Sequence, residues 1–376
     1  MTDAPAPDRI DGAPHPRETG RLFGQHPAEA GFLDAFNAGR MHHGWLLSGP
    51  RGVGKATLAW RIARFLLAAP AADDGLFGAP PPAAPLDIGP DHPVARQIAA
   101  GTTQGLACVT RTVNDKTDKL RGEIVVDDIR RLREFFALSA PDGGRRVVIV
   151  DAADDMNISA ANALLKMLEE PPRGATLLLV SHQPSRLLPT IRSRCRSLRL
   201  SPLGPDDLAL ALDQAGAPAV ENPDHLTALA GGSVGAALRL IHLGGQEIYA
   251  ELVAILGAMP RPDRQRALRL AETMTGPRAQ DRFDLALDLI DIALARLARC
   301  GAAGAPPMPE AAPGEAGMLA RLAPSAAAAR AWADTAAQVA DRTRRGRAVN
   351  LDPAALVLDT VFSIQQTAAG QARQQA

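Results

Sequence analysis

The chain has 376 residues, of which 72 are alanine, so its 46% hydrophobic fraction falls to a little over a quarter once alanine is set aside. With nine Phe, three Trp and one Tyr, any core must be built from Leu, Val, Ile and Ala, and the length suits two or three domains. Lys+Arg and Asp+Glu balance at 41 each, which excludes a chain-wide field for polyanions and leaves any nucleic-acid surface local. Lysine occurs at four positions against 37 arginines, so each lysine stands out. No apolar run approaches the ~20 residues of a membrane span. Asp3, Asp8 and Arg9 break any signal-peptide core, so a cytoplasmic chain without membrane contact is expected. Cys108, Cys195 and Cys300 are odd in number and far apart, which fits neither a disulfide framework nor a clustered metal site.

In chain order, the first stretch is polar and Pro-rich until Phe32 and Phe36 mark a short helix. Residues 44–48 read as a buried strand entering a glycine-rich turn, and 57–67 as a helix. Residues 70–92 are rich in Pro, Ala, Gly and Asp and too poor in large apolar side chains to fold alone. A strand is expected over 106–110, then a helix over 128–137 with Ile129, Leu132 and Phe136 on one face. Strand 147–151, helix 159–170 stopped by Pro171-Pro172, and strand 177–181 follow in close order, with 198–200 as a last strand. Strands that are apolar throughout and alternate with helices predict a parallel sheet covered on both faces.

From Gly204 the strand signals stop. Residues 206–215 and 225–243 are predicted to form a small helical unit, with Gly231-Gly232-Ser233 inside it. A long helix over 279–299 carries Phe283, Leu287, Ile290, Leu294 and Leu297 as one stripe. Residues 302–317 read as a flexible linker and the tail from about Gln365 as disordered.

Gly49-Pro50-Arg51-Gly52-Val53-Gly54-Lys55 follows a strand and opens a helix, the context a phosphate-binding loop needs. Glycines let backbone N–H groups turn inward, the helix N-terminus adds positive potential, and lysine reaches outer phosphates. The next residue should carry the hydroxyl that ligates Mg²⁺, yet it is Ala56; Thr57 is one position later, about 100° around the helix. Val147 to Asp151 is a strand ending in a carboxylate, suited to hold a metal through water or equally to cap a helix. Where a hydrolysing ATPase places a glutamate, this chain has Ala152, and the offset of Asp154 and Asp155 makes them poor substitutes.

These residues, with Asn162-Ala-Leu-Leu-Lys166-Met-Leu-Glu-Glu-Pro-Pro172 and Ser193-Arg194-Cys195, resemble the clamp-loader branch of the AAA+ ATPases over roughly residues 20–243. The resemblance implies an α/β AAA+ P-loop domain with a parallel sheet over 1–202, with an insertion at about 70–105. A small helical lid over 203–244 and an all-helical collar over 245–376 would follow. It implies a non-hydrolysing subunit of the bacterial DNA polymerase III clamp loader, without intrinsic ATPase, within a DNA-directed DNA polymerase assembly. Its partners would be motor subunits of gamma/tau type and a clamp-opening subunit of delta type, and indirectly the sliding clamp and primed DNA.

Arg194 would be the arginine presented in trans to a neighbour's ATP, with Ser193 and Cys195 shaping its turn. The degenerate nucleotide site would comprise Gly49, Gly52, Gly54, Lys55, Thr57, Asp151 and, as first sensor, Ser181. The second sensor should be an arginine near Gly235, and none is there. Weak ATP or ADP binding at most is expected, with no required cofactor. Relatives with zinc use four cysteines between the first helix and the second strand; His92 and Cys108 cannot close such a set, so no zinc is expected. Two alternatives stand beside this reading: an active motor subunit of the same ring, and a nucleotide-dependent DNA-binding regulator.

Overall fold

The computed structural model describes residues 8–9, 12–69, 85–114, 116–137, 144–274, 279–349 and 351–375. The chain forms two compact units, Met1–Ala217 together with Ser233–Gly235, and Pro218–Gly232 together with Ala236–Ala376.

In the first unit, α1 (His26–Asn37) precedes β1 (Gly44–Ser48), and α2 (Lys55–Ala68) leaves the glycine-rich turn. Then come α3 (Pro93–Ala99), β2 (Leu106–Val109), a hairpin of β3 (Val113–Asn114) and β4 (Lys119–Leu120), and α4 (Val126–Ala137). β5 (Arg146–Asp151), α5 (Ile158–Glu169), β6 (Ala175–Ser181), α6 (Pro189–Ser193), β7 (Arg196–Arg199) and α7 (Pro205–Gln214) complete it.

The main sheet has the order β2-β5-β6-β1-β7, with every pair parallel. β1 and β6 are buried at every residue, as strands covered on both faces must be. Ile129 and Leu132 of α4 and Leu164 and Leu168 of α5 pack with Leu46, Val148, Val150, Leu177 and Leu179 in one core. α2 lies against β1, β5 and β6 and is buried continuously from Leu58 to Leu66, far more than one amphipathic stripe. Of the expected insertion, residues 70–84 lie outside the described residues; the remainder includes α3, whose Ala95 and Ile98 are buried.

In the second unit, α8 (Pro223–Ala230) precedes α9 (Val234–Leu243), whose first residues count with the first unit. The helical stretch expected over 225–243 divides into these two helices at Gly231 and Gly232, which adopt φ of +55° and +74°, left-handed values that end a helix. α10 (Gly245–Gly257), α11 (Arg264–Glu272), α12 (Ala279–Ala303), α13 (Glu315–Leu322), α14 (Ala326–Ala348) and α15 (Pro353–Gln375) follow. The predicted stripe on α12 is buried at all five positions, and α12 packs against α10 and α14.

Two expectations are overturned here. The flexible linker at 302–317 is anchored: Glu315 is fully buried and accepts bonds from Tyr249 Oη (2.6 Å), Arg296 Nε (2.7 Å) and Nη2 (2.8 Å), and the Ala311 N–H (2.7 Å). Arg296 also donates to the Pro307 and Pro309 carbonyls at 3.1 and 2.8 Å. Pro, Gly and Ala announce irregular backbone, but what fixes that backbone is an ion pair contributed partly by the preceding helix. The expected disordered tail is likewise helix through Gln375, because Val357, Val361, Ile364 and Ala368 continue a buried stripe past Gln365. Thr367 adds a 2.8 Å hydroxyl contact to Thr335.

Candidate functional site

The parallel strands all end at one edge of the sheet, and the residues singled out for nucleotide chemistry gather there. Register places Ser48 beside Ser181 and Asp151 beside Val180, so the glycine-rich loop, Asp151 and Ser181 are neighbours. Gly49, Gly52 and Gly54 have φ of +150°, +72° and +96°, which explains glycine at all three. Thr57 lies half-buried on the first turn of α2, two positions beyond Lys55.

Lys55 is 3% exposed and donates to the Gly49 carbonyl at 2.8 Å and to the Pro50 carbonyl. Burial pulls its ammonium down to about 8, against the opposing pull of Asp151 and Asp154. Asp151 is pushed up to about 6, first by burial and then by Asp8, with Lys55 working against both. It does not cap a helix: the short turn Ala153–Asp155 has Ala152 at its N-cap and no side-chain cap bond.

Ser181 is fully buried, and its Oγ has no hydrogen-bond partner among the described residues. The adjacent His182 falls to about 4 through burial and the positive charges of Lys55 and Arg51. Asp154 accepts from the backbone N–H groups of His182 and Gln183, each at 3.0 Å, so its carboxylate is committed to shaping the turn after β6. Burial alone would raise its pKa, but those bonds leave it lowered.

The rest of the loop is also engaged. The Val234 N–H donates to the Gly52 carbonyl at 2.9 Å, and a Cβ on Gly52 would collide with Ser233 Oγ and sit 2.8 Å from the Gly235 nitrogen. The position expected for a second sensor is thus against the loop, occupied by glycine. Buried Gln25, which carried no signal in the sequence, donates to the Val53 and Ser201 carbonyls at 3.1 and 2.8 Å and accepts from the Ser201 N–H at 3.2 Å.

Arg194 is elsewhere. It follows α6 as its C-cap and precedes β7, which begins at the sheet edge where β1 also begins. Its carbonyl would lie 3.2 Å from a Cβ on Gly44, the first residue of β1, whereas the glycine-rich loop follows the last. At about 3.3 Å per residue the five-residue strand separates the two by well over 10 Å. Arg194 Nη1 donates to the Thr190 carbonyl at 3.1 Å, as does Ser193 Oγ, and Nη2 lies 3.0 Å from Glu169 Oε1. Cys195 packs against the core, and burial pushes its thiol up to about 12, so it is a packing residue without nucleophilic character at neutral pH.

Residues 24–204 match the family model described as "DNA polymerase III, delta subunit". The chain is 39% identical over 215 residues to the DNA polymerase III subunit delta' of Pseudomonas aeruginosa, covering 56% of this chain and 59% of that protein. Over this stretch the chain is similar to DNA polymerase III delta-prime subunits. The delta' subunit of Escherichia coli K12 is 32% identical over 210 residues, 55% of this chain and 56% of that protein. A gamma subunit from Buchnera aphidicola is 28% identical over 195 residues, covering 51% of this chain and 47% of that protein. The chain therefore spans about half the length of these curated relatives, and the family model covers the stretch that holds the glycine-rich loop and the arginine turn. Among the described residues no group of three or more His, Cys, Asp or Glu could hold a metal ion, and no single helix is long and apolar enough to cross a membrane.

Proposed function

We propose that the chain is a cytoplasmic, non-hydrolysing subunit of the DNA polymerase III clamp loader, helping to load the sliding clamp onto primed DNA during replication. In this role it supplies Arg194 in trans to the nucleotide of a neighbouring gamma/tau-type motor subunit, alongside a clamp-opening subunit of delta type. The observation that supports the reading is the placement of Arg194 at the sheet edge opposite the chain's own phosphate loop, away from any nucleotide that loop would hold. A planar guanidinium suits the charge that develops on a transferring phosphoryl group.

The chain's own loop fits a magnesium nucleotide poorly. Ala56 has no hydroxyl for the metal, Ala152 cannot activate water, Gly235 stands where a sensor arginine is expected, and Lys55 is spent on the loop's own carbonyls. We therefore take the site as degenerate, with weak ATP or ADP binding at most and no required metal or cofactor. In a ring reconstituted from full-length subunits, Arg194→Ala is expected to lower DNA-stimulated ATP hydrolysis by about 10³-fold at the motor site it serves, without preventing assembly. Unchanged hydrolysis at that site would sink the assignment.

The similarity to gamma subunits keeps a second reading in view, an active motor subunit of the same ring. Steady-state ATPase of the purified chain separates the two: the first predicts none above background, and sustained Mg²⁺-dependent turnover would favour the second.

A further inference from the structure

Glu169 closes α5 just before Pro171-Pro172, and its carboxylate meets Arg194 Nη2 at 3.0 Å while Arg194 Nη1 is held by the Thr190 carbonyl at 3.1 Å. A guanidinium has five N–H donors, so two anchored ones leave three free, enough for bidentate contact with a phosphate. The backbone beneath this pair is closely fitted. A Cβ on Gly44 would lie 2.8 Å from Leu168 Cδ2, 3.2 Å from the Arg194 carbonyl and 3.3 Å from Cys195 Sγ, and His43 Nε2 donates to the Leu168 carbonyl at 2.9 Å. The last turn of α5, the start of β1 and the arginine turn therefore form one packed corner, and Glu169 keeps its place relative to Arg194. Both side chains remain about two-fifths exposed, at 43% and 38%, so the pair stays open to an approaching chain.

We propose that Glu169 is a positioning residue for Arg194, holding the guanidinium by one side so that its remaining donors meet a phosphate on a neighbouring chain without a prior search of rotamers. The proposal rests on the reading of Arg194 as a trans-acting arginine. An ion pair this exposed contributes little to folding, so Glu169 can be replaced in a folded protein, and the effect on rate is modest, about two- to fivefold.

The test uses the reconstituted ring with full-length wild type, Glu169→Gln, Glu169→Ala, Arg194→Ala and the Glu169→Ala/Arg194→Ala double variant, measuring kcat and KM for DNA-stimulated ATP hydrolysis. Glu169→Ala is expected to lower kcat about two- to fivefold with KM for ATP unchanged, because the arginine acts on the transition state, and Glu169→Gln to fall between it and wild type. In the Arg194→Ala background the Glu169 substitution should have no further effect. An equal loss in that background would make Glu169 merely structural, and an unchanged or raised kcat in Glu169→Ala while Arg194→Ala remains impaired would overturn the positioning role and leave the finger intact. If Arg194→Ala itself has no effect, the underlying reading fails and the proposal falls with it.

Discussion

Lys55 shows how one residue can keep its place in a motif while its contacts change. In an open phosphate loop the ammonium points at ligand; here it closes on the Gly49 and Pro50 carbonyls in a buried setting. Its folded pKa of about 8 lies below the ordinary lysine value of 10.5, so the unfolded chain binds more protons between those limits and stability rises with pH across that window. Lys55→Met lacks this gain. Urea midpoints of both proteins at pH 7.5 and pH 10 should therefore show the wild type gaining on the variant as pH rises, and a constant difference would mean that Lys55 titrates normally. At this scale the sequence was legible where backbone geometry demands a residue type, as at Gly49, Gly52 and Gly54, and opaque where a side chain merely reaches a distant carbonyl. Gln25 is the clear case: its partners are 28 and 176 positions away, and no spacing rule connects them.

At the scale of elements, the central strands of the α/β unit follow their apolar patterns closely, because β1 and β6 are covered on both faces and can only be apolar throughout, while a helix such as α4 shows one apolar face. The failures share a cause. Composition alone makes the 302–317 segment a linker and the tail after Gln365 a loose end, yet each is held by partners from another element, Arg296 and Tyr249 in the first case and Thr335 in the second. Two predictions follow from such contacts. Glu315→Ala leaves a buried guanidinium without its carboxylate and should cost about 3–5 kcal/mol, read from the denaturant midpoint. The same variant should expose 304–314 to protease attack that the wild type resists. Gly52→Ala would place a side chain at φ +72° and against Ser233 and Gly235, and is expected to destabilise by roughly 1–3 kcal/mol; a neutral outcome would show that the Ser233–Gly235 turn yields freely.

At the scale of the whole molecule, 41 basic and 41 acidic residues and a pI near 7.1 leave little net repulsion between copies at neutral pH. Light scattering of the purified chain at low ionic strength should show its greatest self-association close to pH 7 and a decline on moving to pH 8.5. On the proposed reading the functional charge is one arginine at one sheet edge, which needs no global field, and the balanced composition fits surfaces that meet proteins.

The single direction shared by all five strands of the main sheet gives the first unit a front and a back. Identical or related units with a loop in front and an arginine behind join head to tail, in the manner of a heterologous interface that propagates until it closes or is stopped. A unit that retains the back and has lost the use of the front is a terminator. On the proposed reading, this chain can complete its neighbour's site but offers no equivalent site for the next, and a row of subunits that includes it acquires a defined end.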